Sequence, residues 1–276
     1  MSIPDLYHGW GIRPVLAIVA GVPVGSYEVF ACLGLAAGAL IYGRLARRDP
    51  RAGEGTALIA VAALVGGAVG AKLLEWTFNL PALTRVDSLQ ALLAGRTVIG
   101  GFLGGSAAVI LLKRRMGIRD RRGNLFAPAI ALGLAVGRIG CFLRGCCYGE
   151  PTHLPWGVDF GDHVMRHPTQ LYESAFAVVL FAALMKLRSR VTTPGRLLTV
   201  FMVAYFAFRF GEEFLRAGNR VALGLTVYQF AALAALAYFL ARDRLVLRRA
   251  VAPAVKESSS GLSGGFGGAW RQMGGR

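Results

Sequence analysis

Two arginines lie inside apolar sequence where charge is costly: Arg138 within GRIGCFLRGCCYG (137–149) and Arg209 within YFAFRFGEEFLR (205–216). At bilayer depth a charged side chain costs at least about 2.5–3.5 kcal/mol, so such a residue marks a functional site by default. Tyr205, Arg209, Glu213 and Arg216 recur at i, i+4, i+8 and i+11, which puts them on one face of a helix. Against lipid that stripe is costly, so it is expected to face a bundle interior. The interior so formed is cationic and suits an anionic headgroup, because the planar guanidinium fork donates paired hydrogen bonds to phosphate and stays charged at any ordinary pH. Arg216, nearest the helix end, also has the plainer reading of a cation that snorkels to the interface. A second constellation is CFLRGCC (141–147). Its Cys141, Cys146 and Cys147 can pair as a disulfide, bind zinc with His153, His163 or His167, act as a nucleophile beside Arg144, or fill space near packed glycines.

The elements that must carry these residues are transmembrane helices. The 276 residues are 55% hydrophobic and only 17% charged, with mean hydropathy +0.51, a composition that reads as an all-α polytopic membrane protein. Seven apolar stretches, near 27–43, 56–78, 97–112, 124–143, 169–185, 197–215 and 222–241, approach the length a bilayer demands. The net charge of +16 is concentrated after the odd-numbered stretches, in Arg44–Arg51, Lys113–Arg122, Lys186–Arg196 and the segment after 241. By the positive-inside rule the N-terminus is outside and the C-terminus cytoplasmic, and no nucleic-acid partner is needed to explain the charge. Residues 1–26 read as an outer-face arm without a cleavable signal, 27–241 as the membrane domain with an outer loop at 144–168, and 242–276 as a basic, Gly/Ser-rich cytoplasmic tail. With that topology Tyr27, Arg138, His167, Gln170, Tyr205, Arg209, Glu213 and Arg216 all fall in the outer half. A transporter is expected to hold its polar residues at the midplane instead.

These same segments carry a resemblance to the prolipoprotein diacylglyceryl transferase family. GRIGCFLRGCCYG is similar to the family signature G-R-[IL]-G-N-F-[IL]-N-G-E-x-x-G, and RHPTQLYES (166–174) to R-H-P-[ST]-Q-L-Y-E. YFAFRFGEEFLR resembles Y-x-x-x-R-F-x-x-E-x-x-R, LGLTVYQ (223–229) the following L-G-x-x-x-x-Q, and SYEVF (26–30) the S-Y-G at the first helix. The likeness runs in order over about residues 10–240. It implies a seven-helix bacterial inner-membrane enzyme that moves the diacylglyceryl group of phosphatidylglycerol to the lipobox cysteine of a prolipoprotein, releasing glycerol phosphate. No cofactor or metal is implied. By residue, the resemblance puts Arg138 and Arg209 on the phosphate with Arg216 and Glu213 in support, and Tyr27 and Tyr205 on the lipid. Gly137, Gly140 and Gly149 then allow close backbone approach, and His167 and Gln170 stand at the outer rim.

The chain also departs from the family pattern. Where the third helix usually reads F-H-G-G, this sequence has VIGG (98–101), so Ile99 replaces the histidine often assigned the base. Cys141, Arg144 and Cys146 replace two asparagines and a glutamate of the signature. An aliphatic residue cannot take a proton, which leaves His167, Glu213, Glu28 or the lipid phosphate as candidate bases. Thiol or metal chemistry at the cysteines, and anionic-lipid binding without catalysis, remain the alternatives.

Overall fold

A computed structural model describes residues 11–49, 55–78, 98–118, 123–216, 218 and 220–244. Among them are seven long helices, one in each predicted stretch: α1 Ser26–Arg47, α2 Thr56–Phe78, α3 Val98–Arg115, α4 Gly123–Arg144, α5 Thr169–Leu187, α6 Arg196–Glu212 and α7 over 227–244. Four of them, α1, α2, α4 and α5, are long and apolar enough to cross a membrane by length and composition. The chain is thus a helical membrane protein. The expected tail is described only to residue 244, and the arm only from residue 11; the rest of both lies outside the described residues.

Three short hairpins accompany the helices without changing the all-α class. Val15–Val19 (β1) pairs antiparallel with Val22–Gly25 (β2), Val158–Asp159 (β3) with Met165–Arg166 (β4), and Arg220–Ala222 (β5) with Leu225–Thr226 (β6). The first lies within the N-terminal arm: β-branched residues flank a turn in which Ala20 and Gly21 both adopt positive φ. The third occupies the predicted start of the last span, so α7 begins at 227 rather than 222. Glu213–Leu215 likewise leaves the α-helix for a 3₁₀ turn.

Helix α4 is the centre of the bundle. Its apolar window is 56% buried, against 11% for α2, and α1, α5 and α6 all pack on it. The α1 contact needs Gly140, since a Cβ there would stand 2.7 Å from Phe30 Cβ and 3.3 Å from Tyr27 Cα. At the helix ends away from Arg138, Asn124 donates Nδ2–H to the Thr193 carbonyl and accepts the Leu197 N–H, both at 3.0 Å. That joins the starts of α4 and α6. Helices α2 and α3 pack chiefly on each other, with Gly66 and Gly70 against Gly104 at backbone contact. Phe102 ties this pair to α6 through edge contacts with Phe201, Tyr205 and Phe206.

Close α1–α4 packing predicts a contrast between two glycines one turn apart. Gly140→Val overpacks the contact and is expected to cost about 1–3 kcal/mol of stability. Gly137→Ala, whose Cβ would meet nothing within 4 Å, stays within about 0.5 kcal/mol. Thermal unfolding in detergent reads both.

Candidate active site

The last turns of α4 and α6 and the first turns of α5 bring the polar residues together. Arg138, in the penultimate turn of α4, is 7% exposed, and its Nη2 lies 2.7 Å from Glu173 Oε2 on α5. Glu173 is fully buried, and its Oε1 accepts the Tyr205 hydroxyl of α6 at 2.9 Å. One carboxylate therefore joins three helices. Ser174 adds a hydrogen bond from its hydroxyl to the Ala135 carbonyl, at 2.8 Å, one turn before Arg138. Arg138 Nε has no hydrogen-bond partner among the described residues.

A second charge group closes the end of α6. Arg209 Nη1 donates to Glu212 Oε2 at 3.0 Å, and its Nη2 lies 2.8 Å from Glu213 Oε2. Glu213 Oε1 accepts the Thr226 hydroxyl at 3.1 Å, and Arg216 Nε stands 3.8 Å from Glu213 Oε2. Of the predicted stripe, Tyr205 and Arg209 lie on α6, while Glu213 sits in the 3₁₀ turn and Arg216 in extended backbone beyond it; Arg209, Glu213 and Arg216 still meet through the Glu213 carboxylate. The expected cationic interior is not what results. Arg138, Arg209 and Arg216 are balanced by Glu173, Glu212 and Glu213, because a buried charge without a partner is far costlier than a buried pair. Glu212, which sequence reasoning did not single out, is 4% exposed.

The loop after α4 is held through its backbone. Gln170 donates to the Cys146 carbonyl at 2.6 Å, while Thr169 Oγ1 and Arg216 Nη1 both donate to the Cys147 carbonyl, at 2.9 and 3.0 Å. Gly149 N–H bonds the His167 carbonyl, and Gly149 faces Arg216 across an isolated bridge. A Cβ on Gly149 would collide with the Leu215 carbonyl and His167 Cβ, as one on Gly140 would with α1, so both glycines serve close packing within the protein. At Gly137 the space is open. His167 stands at the rim with Nδ1 3.2 Å from the Tyr172 hydroxyl, which also accepts Trp156 Nε1–H at 2.8 Å. Tyr27 lies beneath Arg144, whose guanidinium is 5.5 Å from the ring centroid. Glu28 is exposed. In the loop between α4 and α5, Asp159 accepts the Gly161 and His163 N–H groups, and Asp162 pairs with Arg166 at 2.6 Å. That pairing holds the Asp162 carboxyl below its ordinary range.

All four cysteines are free thiols. Cys146 Sγ lies 3.6 Å from the Cys141 carbonyl. Contacts from the Cys141 and Cys146 thiols, followed by Arg216 and Arg138, hold the exposed Cys147 well below the ordinary thiol range, and contact with Cys141 pushes Cys146 well above it. Among the described residues no group of three or more His, Cys, Asp or Glu is arranged to hold a metal ion.

The Arg138–Glu173 pair predicts that Glu173→Ala destabilises the protein by about 3–5 kcal/mol, by leaving a buried guanidinium uncompensated, whereas Arg138→Met with Glu173→Leu regains most of that loss. Denaturation in detergent measures both. At the loop, Cys147 is the exposed thiol of the cluster, against a buried Cys141 and a half-buried Cys146, and it is also the one held low. It is expected to be alkylated ahead of Cys141 and Cys146, as peptide mass spectrometry after a brief maleimide pulse would read.

A family model described as prolipoprotein diacylglyceryl transferase matches residues 14–242. Over 217 residues the chain is 30% identical to the phosphatidylglycerol–prolipoprotein diacylglyceryl transferase of Clostridium tetani, spanning 76% of this chain and 87% of that protein. Over 239 residues it is 31% identical to the protein of the same name from Bordetella parapertussis, spanning 79% and 89%. A shorter match, 42% over 130 residues, links it to the same-named protein of Cupriavidus pinatubonensis, at 44% and 46% coverage.

Proposed function

The chain belongs to the prolipoprotein diacylglyceryl transferase family, and from that premise we propose how the buried charge cluster serves the transfer. The protein moves the diacylglyceryl group of phosphatidylglycerol to a prolipoprotein in lipoprotein maturation. The acceptor is the lipobox cysteine. Its sulfur attacks the glyceryl carbon that carries the phosphate; the C–S bond forms as the C–O bond breaks, and glycerol phosphate leaves with the bonding electrons. Charge therefore develops on phosphate oxygen, and preorganised donors in a water-poor site stabilise it best.

Arg138 carries this reading. It is buried at the meeting of three helices, fixed on one side by Glu173, and keeps its Nε–H unpartnered among the described residues. A guanidinium held in that way presents a donor to the phosphate without having to reorganise. Arg209 and Arg216 supply the second side of the phosphate site, held at their angles by Glu213. Tyr205 keeps Glu173 in place, Gln170 and His167 hold the rim, and Tyr27 positions the lipid beside Gly137 and Gly140.

The seven helices are read as seven spans with the site toward the outer, periplasmic face of the bacterial inner membrane. Two features support this reading. The site lies at the start of α5, whose last turn carries Lys186, and the last turns of α1 and α3 carry Arg44, Arg47 and Lys113–Arg115. The basic ends are those retained in the cytoplasm. Phosphatidylglycerol and the prolipoprotein are the partners, and the bilayer is the medium in which they meet.

Purified protein given labelled phosphatidylglycerol and a synthetic lipobox peptide is expected to yield a thioether. Arg138→Lys, which keeps a charge for Glu173 but loses the fork, should cut the rate about 10²–10³-fold. Absence of product from folded protein that retains phosphatidylglycerol would overturn the reading.

A further inference from the structure

Transfer to a thiol cannot begin until the sulfur loses its proton, since the thiolate is the nucleophile. The third helix offers Ile99 for that task, and an aliphatic side chain takes no proton. The groups around the arginines differ sharply in what they have free. Both oxygens of Glu173 are engaged, Oε1 by Tyr205 and Oε2 by Arg138. Glu213 is engaged on both sides as well, by Thr226 and by Arg209. His167 spends Nδ1 on Tyr172 at the rim, and Glu28 is exposed on α1.

Glu212 is different. Its Oε2 accepts from Arg209 at 3.0 Å, while its Oε1 is buried and has neither a hydrogen bond nor an ion pair among the described residues. The side chain is 1% exposed. A carboxylate oxygen left bare in a protein interior is rare and costly, and gaining a proton relieves it. Glu173, Arg209, Arg138 and Arg216 are the charged groups that act on it, so it lies among the residues assigned to the phosphate. Glu212 and Glu213 follow Arg209 at i+3 and i+4, the two spacings that make side chains neighbours on a helix, so both reach its guanidinium.

Building on the transferase reading above, we propose that Glu212 is the proton acceptor for the lipobox thiol, through its unpartnered Oε1. The thiol proton passes to Oε1 and the sulfur keeps the electron pair that forms the C–S bond. The C–O bond breaks toward phosphate, and the departing phosphate oxygen takes the proton back from Glu212. Carboxylate and arginines are thereby restored with no added reactant.

The test compares two acceptors in the full-length protein, reconstituted in vesicles containing phosphatidylglycerol. One is a lipobox peptide with cysteine, and the other is the same peptide with selenocysteine, whose selenol is already ionised at neutral pH and needs no base. Glu212→Gln is expected to slow transfer to the thiol about 10²–10⁴-fold, and to slow transfer to the selenol about tenfold or less. Glu212→Asp, which keeps the carboxylate, should fall between Gln and wild type with the thiol peptide. Retained phosphatidylglycerol is followed by mass spectrometry in both variants, so that transfer rates are compared per lipid-loaded protein. Equal losses with thiol and selenol would overturn the proposal in favour of a structural role, and an undiminished thiol rate would overturn it outright. If the wild-type protein forms neither thioether nor selenoether, it is the transferase reading that fails, and Glu212 with it.

Discussion

The polar end of this bundle depends on one carboxylate, Glu173, which holds a guanidinium and a phenol from two other helices while itself fully buried. In a low-dielectric interior the attraction between Arg138 and Glu173 is strong, but so is the cost of desolvating each of them. The geometry must therefore be good for the arrangement to exist at all: 2.7 Å to the arginine and 2.9 Å to Tyr205, with the carboxylate fully buried. The pair fixes where α4, α5 and α6 meet, and the loop between α4 and α5 is then threaded across their ends. Three side chains, Gln170, Thr169 and Arg216, hold that loop by its carbonyls rather than by its side chains.

A second constraint is the division of the bundle into unequal parts. Helices α4, α5 and α6 share a core that includes Phe201 and Leu184. By contrast, α2 and α3 meet through glycine backbone and turn Val61, Val65, Val69 and Leu103 outward. Apolar residues in that position are ordinary for a lipid-facing surface, where burying them would bring no hydrophobic gain. The link between the two parts is aromatic. Phe102 packs its ring edge on the same Tyr205 that donates to Glu173, so the position of α3 and the anchoring of Arg138 are mechanically connected.

Much of this was legible in the sequence because membrane burial makes charge informative. The seven apolar stretches matched seven helices, and the i, i+4, i+8, i+11 spacing singled out Tyr205, Arg209, Glu213 and Arg216, of which the last three meet through the Glu213 carboxylate. What could not be read was who pairs with whom, since Arg138 and Glu173 lie on different helices and Tyr205 on a third. The error about a cationic interior follows from that: arginines stand out in apolar sequence, whereas Glu173 near the start of α5 and Glu212 at the end of α6 look like helix-end surface residues. Glu212 was missed because the i, i+4, i+8 pattern selected Glu213, although i+3 from Arg209 is as close a spacing on a helix as i+4. The signal that existed was the doubled acid in FGEEF. The hairpins were missed for a different reason. VLAIVAGVPV alternates poorly, but its turn at Ala20–Gly21 and its β-branched flanks were there to be used.

A neutral cluster raises the question of how it binds an anion at all. Net charge is the wrong quantity to consider. Each guanidinium has five N–H donors, and a carboxylate partner occupies one or two of them. The glutamates fix the arginines in angle and depth, and they keep the empty site from carrying uncompensated buried charge. In the proposed site the donor left over for a phosphate is foremost Arg138 Nε, which is buried without a hydrogen-bond partner among the described residues. Preorganisation of this kind stabilises charge that develops during bond breaking more than charge already solvated in the substrate. It also explains why acids belong in a phosphate site: without Glu173 and Glu213 the arginines would turn toward the lipid headgroups and water at the interface, and the donors would have to be gathered again in every turnover.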